Sequence, residues 1–294
     1  MKPETRWKIE ALGLDLTPEM MGGTQALFAE TFRGMDPATE IERDLTYGPN
    51  PRHRLDVFKQ AGTTAAPVLV YVHGGGFVMG DKRSPTGLPF YDNVGDFAAR
   101  SGMVGVTITY RLAPDNRWPA GPEDLGLLVG WLRENVAAHG GDPQRIFLMG
   151  QSAGAVHVAS YVAHERFHAG ERGGIAGALM ISGIFDVAAA HANQFHKAYY
   201  GEDESRYAEC SAVQGLIETR IPWLATVSEF DVPDFQIQSA ALVAAYAEAH
   251  QRYPRVLWLA GHNHLSPALE IGSQGSALEP IVSDFARSAA VSGA

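Results

Sequence analysis

The chain has 294 residues, 46% of them hydrophobic and 19% charged, with a net charge of −10 at pH 7. That size and balance fit a globular α/β domain with a substantial core, and the acidic excess argues against nucleic-acid or anionic-membrane partners. One cysteine, Cys210, excludes an intrachain disulfide; the N-terminal MKPETRWKIEALGLD lacks an apolar signal core and no stretch is long enough to span a bilayer, so the expected compartment is cytoplasmic.

Residues 1 to about 45 read as helical pieces ahead of the first strand. HRLDVFK (53–59) alternates like a half-exposed strand, and residues 67–72 form an apolar, β-branched strand that runs into Gly74, Gly75 and Gly76. GDFAARSG (95–102) reads as a helix end and MVGVTITY (103–110) as a buried strand. In GPEDLGLLVGWLRENVAAHG (121–140), Leu125, Leu128, Val129, Leu132 and Val136 share one helical face, with Pro122 and Gly140 as punctuation. RIFLMG (145–150) is a strand and SAGAVHVASYVAHE a small-residue helix. GALMISGIF (177–185), IPWLATVSEF (221–230) and RVLWLAG (255–261) are further strands, with the helix QIQSAALVAAYAEAHQ between the last two.

This alternation predicts one α/β domain over 1–294, a mostly parallel sheet flanked by helices. Residues 186–220 are helical, charged and inserted between strands. Together with residues 1–45 they are expected to form a small cap above the carboxyl ends of the strands, where ligands of α/β folds bind. The amphipathic last segment, SALEPIVSDFARSAA, is expected either to cover the sheet or to support a homodimer.

GQSAG (150–154) fits G-x-S-x-G and lies between a predicted strand and a predicted helix. A serine on that tight turn has an exposed hydroxyl, so Ser152 is expected to be a nucleophile rather than a helix cap. A serine hydroxyl needs a base to take its proton, and in this architecture the order is serine, acid, histidine. SEFDVPDF (228–235) offers Glu229, Asp231 and Asp234; GHNHLSP (261–267) offers His262 and His264. Asp231 is preferred because it lies past the strand end, where a loop can turn it inward, whereas Asp234 suits a helix cap. His264 is preferred as the base. The remaining histidines show no metal-ligand spacing, and Cys210, with no basic neighbour in sequence, reads as structural. The bare glycines gain a role here: backbone N–H groups beside Ser152, with that of Ala153, can hold an oxyanion.

HGGGF, YRLAPDNRWPAGPED, GQSAG, SEFD and NHLS, in that order, resemble the hormone-sensitive-lipase-like carboxylesterases of the α/β-hydrolase fold over roughly residues 45–290. The resemblance implies a triad of Ser152, Asp231 and His264, an oxyanion hole from Gly75, Gly76 and Ala153, and a structural role for His73. The acid loop departs from the branch's Asp-Pro-Leu. Its sequence, Asp231-Val232-Pro233-Asp234-Phe235, also resembles the arylformamidase-like hydrolases. The expected activity is therefore hydrolysis of small-molecule esters of short to medium acyl length, with an arylformamidase or amidase using the same triad as the alternative. A non-catalytic ligand-binding protein is the remote third reading, since it is expected to lack a triad member or the glycines. No metal or organic cofactor is required. Phe77, Trp118 and Tyr199 are candidate substrate-binding residues, with Phe195 and Tyr200 as further wall candidates, and Arg111 and Asp124 are expected to pair as a structural brace.

Overall fold

The computed structural model describes residues 1–291, with side chains through residue 287. In chain order the elements are α1 (Pro3–Ala11), α2 (Pro18–Thr31), β1 (Thr39–Thr46), β2 (Arg54–Gln60), β3 (Ala66–Val72), α3 (Asp92–Arg100), β4 (Val104–Ile108), α4 (Ala120–Asn135), β5 (Gly141–Gln151), α5 (Ala153–Ala163), β6 (Gly177–Ile181), α6 (Gln194–Tyr200), α7 (Tyr207–Cys210), α8 (Val213–Glu218), β7 (Trp223–Phe230), α9 (Pro233–His250), β8 (Val256–Asn263), α10 (Ser266–Leu269) and α11 (Leu278–Val291). The strands form one sheet in the order β1-β2-β4-β3-β5-β6-β7-β8. β2 is antiparallel to both β1 and β4, and every other pairing is parallel.

Side chains alternate across a strand, so each central strand feeds two cores. Val68, Val70, Val72, Ile146 and Leu148 face one layer, which α4 and α5 cover with Leu125, Leu128, Val129, Val158 and Ala159. Leu69, Tyr71, Phe147, Met149 and Leu179 face the other, covered by α3 and α11 through Val94, Phe97, Leu278, Val282 and Phe285. The apolar residues of the last helix therefore lie on the sheet; residues 288–290 of that predicted segment fall outside the described side chains.

Two local expectations are corrected. Residues up to 45 are not all helical, because β1 occupies Thr39–Thr46 and pairs Ile41 with Phe58. Its sequence, TEIERDLT, is mostly polar, as befits an edge strand, so period-two hydrophobicity is faint there. β8 runs on to Asn263 and takes in His262, which the sequence places in a loop. Its pairing with β7 shifts register between Ser228 and Phe230, and Gly261 there adopts φ +79°.

Because β3, β5, β7 and β8 run in parallel, the segments that follow them emerge at one edge of the sheet. The first two helices also lie there. Thr24 of α2 hydrogen-bonds Asn263 at 2.8 Å, and Leu27 and Phe28 pack with Leu269. Between β6 and β7, residues 186–220 place α6 against the glycine loop and α8 against α5, where a Cβ on Gly215 would lie 2.2 Å from the Ala163 carbonyl oxygen.

Candidate active site

The turn from β5 to α5 holds Ser152 at φ +55°, ψ −122°. A β-carbon at Gly154 would lie 2.1 Å from the Val72 carbonyl oxygen, and one at Gly150 would lie 2.3 Å from the Gly154 carbonyl oxygen. Both flanking glycines are thus required by close approach of backbone. Ser152 is half-buried, and its side chain does not cap α5, which leaves the hydroxyl for other chemistry.

The carboxylate of Asp231 lies just past β7 and is fully buried. Its Oδ1 accepts hydrogen bonds from His264 Nδ1 at 2.6 Å and from the Val232 N–H at 3.2 Å. Its Oδ2 accepts from Ser182 Oγ at 2.5 Å and from the Ser228 N–H at 3.1 Å. Four donors compensate the burial of one charge. The competing acids are engaged elsewhere. Glu229 pairs with Arg6 and accepts the Gly261 N–H, and Asp234 accepts the His191 N–H at 3.1 Å.

His264 is the first residue beyond β8. With Nδ1 donating to Asp231, Nε2 of the neutral ring carries the free lone pair. That nitrogen is buried and has no hydrogen-bond partner among the described residues, Ser152 included. The ring of Phe235 packs against the imidazole at 4.3 Å. His262 points elsewhere. Its Nδ1 meets Ser266 Oγ at 3.0 Å, its Nε2 lies 3.4 Å from Glu270, and burial lowers its pKa to about 4.

The glycine loop lies beside the serine. A Cβ on Gly74 would be 3.2 Å from that of Ser152. Gly75 adopts φ +121°, and its Cβ would overlap the Met79 carbonyl oxygen at 2.1 Å; Gly76 adopts φ +57° and faces the Phe195 ring at 3.0 Å. Both the backbone conformation and the bare surface therefore demand glycine. His73 braces this turn: Nδ1 donates to the Gly74 carbonyl at 2.6 Å, and the ring stacks on Tyr110. Burial lowers its pKa to about 4. Arg111 and Asp124 do pair, through the Arg111 backbone N–H at 2.7 Å and Nε at 2.6 Å. This anchors a loop whose Ala113 N–H bonds the Phe77 carbonyl.

Ala153 begins α5 next to the serine. Phe77 and Tyr199 stack at 4.4 Å and cluster with Ala153 and Val156, while Trp118 packs at the border of that cluster beneath Arg166. Tyr199 is 1% exposed and accepts the Gly121 N–H, so much of this aromatic set is core. Cys210 is buried and its thiol is pushed up to about 11, which leaves it protonated. No cluster of three metal-ligating side chains and no helix long and apolar enough to cross a membrane occurs among the described residues. Sequence reading missed Ser182, Phe235 and Gln151. Their partners lie 29 to 113 positions away in sequence, with no local pattern to mark them.

A family model described as the alpha/beta hydrolase fold matches residues 69–254, well over half of the chain. Carboxylesterase NlhH of Mycobacterium tuberculosis is 44% identical over 126 residues, covering 41% of this chain and 33% of that protein. Esterase LipQ of the same organism is 37% identical over 124 residues, covering 41% and 28%. The chain thus spans about a third or less of the length of the curated relatives it matches. The crystal structure of esterase B from Lactobacillus rhamnosis superposes with a TM-score of 0.74 at 16% identity, covering 99% of this chain and 98% of that one. At that identity the likeness shows the fold.

Proposed function

Because the chain belongs to the α/β-hydrolase fold family, on its hormone-sensitive-lipase-like branch, we propose that it is a serine carboxylesterase. The observation that carries this reading is the 2.6 Å hydrogen bond from His264 to the buried Asp231, beside a serine held in a strained turn. In the proposed cycle His264 Nε2 takes the Ser152 proton as Oγ attacks the ester carbonyl carbon. Asp231 holds the imidazole in the needed tautomer and stabilises its charged form. The N–H groups of Gly75, Gly76 and Ala153 receive the oxyanion, each such donor being worth roughly a hundred- to thousandfold in rate. His264 then protonates the departing alcohol oxygen, leaving an acyl-serine. Water, deprotonated by His264, attacks that ester and releases the acid and the free serine.

Residues 186–220 and the two N-terminal helices serve as the cap. Phe195, against Gly76, and Phe235, against His264, are the proposed walls beside the serine, and esters of short to medium acyl length are the proposed substrates. Phe77, Tyr199 and Trp118 back the glycine loop.

The test is a hydrolysis panel on purified protein. It compares p-nitrophenyl esters of increasing acyl length with N-formyl aryl amines, for wild type and Ser152→Ala. Ester turnover that falls by about 10⁴-fold or more in the variant is expected. Deformylation outpacing every ester would move the function to an arylformamidase. Turnover of neither, or turnover indifferent to Ser152, overturns the proposed mechanism.

A further inference from the structure

Gln151 is the last residue of β5, immediately before Ser152, and is 2% exposed. Every hydrogen-bonding position of its amide except one oxygen lone pair is matched. Nε2 donates to the His264 carbonyl at 2.7 Å and to the Leu265 carbonyl at 3.2 Å, and Oε1 accepts the Tyr71 hydroxyl at 2.9 Å. Tyr71 is itself buried on β3, four residues ahead of Gly75. One side chain thereby joins the strand that leads to the glycine loop, the strand that leads to the nucleophile, and the loop that carries the base. The opposite edge of that loop is held by Asn263, whose Oδ1 accepts the N–H groups of Leu265 and Ser266.

Only an amide satisfies this arrangement. Two carbonyl oxygens need two N–H donors, while the phenol needs an acceptor. An ionised carboxylate of the same shape would face two carbonyl oxygens. An aliphatic side chain would leave them buried and unpaired.

We propose that Gln151 is a positioning residue that sets His264 against Ser152 by clamping the backbone of the histidine loop. The inference deepens the serine-esterase reading and rests on it. Asp231 fixes the imidazole from its far side; Gln151 fixes the main chain from which the imidazole projects.

The test uses the full chain as wild type, Gln151→Met, Gln151→Glu, Tyr71→Phe and Ser152→Ala. It measures kcat and KM for p-nitrophenyl butyrate across pH, the melting temperature, and the low-field proton resonance of His264 Nδ1. Misplacement of a catalytic group by about 1 Å costs on the order of a hundredfold. Gln151→Met is therefore expected to lower kcat roughly 10- to 100-fold, with KM within about threefold of wild type, and to broaden or abolish the Nδ1 resonance. Tyr71→Phe, which frees the amide on one side only, is expected to cost a few-fold.

Gln151→Glu supplies a control within one protein. The titratable groups facing this side chain are Tyr71 and, through it, Tyr91, both kept protonated by burial, and His264 itself. When protonated, the new carboxyl can donate to one carbonyl. When ionised, it repels both. The variant is expected to keep part of its activity where the new carboxyl is protonated and His264 is not, and to lose it as pH rises through the carboxyl's titration, a descending limb absent from wild type. Wild-type kcat in Gln151→Met, no descending limb in Gln151→Glu, or an unmoved Nδ1 resonance in the folded Met variant overturns the assignment. If wild type shows no Ser152-dependent turnover, the esterase reading fails and takes the catalytic role of Gln151 with it. The resonance then still reports whether Gln151 holds the loop.

Discussion

At the scale of single residues, the site is built from positions where one substitution meets backbone. Gly75 is the sharpest case. Its φ of +121° disfavours any L side chain, and an added methyl would press on the Met79 carbonyl at 2.1 Å, a backbone atom tied into the same turn by the Val78 and Met79 N–H bonds to the Gly75 carbonyl. Gly75→Ala is expected to lower kcat on the order of a hundredfold by turning the proposed oxyanion donors out of line, with a smaller effect on KM. Steady-state kinetics of the folded variant check this. Ser182 shows the converse kind of residue, a polar side chain that helps compensate a buried charge. At φ +51° its hydroxyl reaches Asp231 from the end of β6, a contact between residues 49 positions apart.

At the scale of elements, the insertion between β6 and β7 matters more than its short helices suggest. α6 has seven residues and is started by Asn193, whose side chain accepts the Phe195 and His196 N–H groups. That cap aims Phe195 at Gly76, while Tyr199 of the same helix stacks on Phe77. The backbone at His191 is pinned to Asp234 at the start of α9, three residues after Asp231. Phe195→Ala opens space beside the glycine loop without touching the proposed triad residues. The expected outcome is a change in selectivity: kcat/KM for octanoyl relative to acetyl esters rises by roughly tenfold, about the discrimination that one or two methylenes supply in an apolar pocket. Unchanged chain-length selectivity would remove Phe195 from the pocket wall.

At the scale of the whole molecule, burial of histidines ties stability to pH. His73 and His262 have pKa values lowered to about 4 and His157 to about 3, in each case chiefly because burial disfavours the charged ring. Their folded values lie below the unfolded value near 6.5. The stability they contribute is therefore present above about pH 6.5 and is lost as pH falls toward 4. Glu270 works against this trend. Burial raises its carboxyl to about 7, so its penalty is complete above pH 7 and disappears as pH falls toward 4.5. Three histidines against one carboxyl leave a net loss on acidification. Each uncompensated proton contributes about 1.4 kcal/mol per pH unit. Chemical denaturation between pH 7 and 4.5 should show stability falling with pH, and His157→Gln should flatten the slope by up to one proton. A stability that rises on acidification over this range would show that these rings are not buried neutral.

The sequence alone carries the α/β alternation and the serine turn. These signals are local: a β-branched run, a 3.6-residue stripe, and a G-x-S-x-G motif each impose their physics within a dozen residues. It also narrowed the acid and base to short loops, Glu229, Asp231 or Asp234 and His262 or His264. In the folded chain the other candidates are engaged elsewhere. Arg6 from α1 occupies Glu229, the His191 backbone occupies Asp234, and the extension of β8 turns His262 toward Ser266 and Glu270. Only Asp231 and His264 are left facing each other. The supports of that pair were illegible beforehand for the same reason. The bonds from Gln151 to the His264 carbonyl and from Ser182 to Asp231 span 113 and 49 residues, and a hydrogen bond has no sequence signature until the sheet brings its ends within 3 Å.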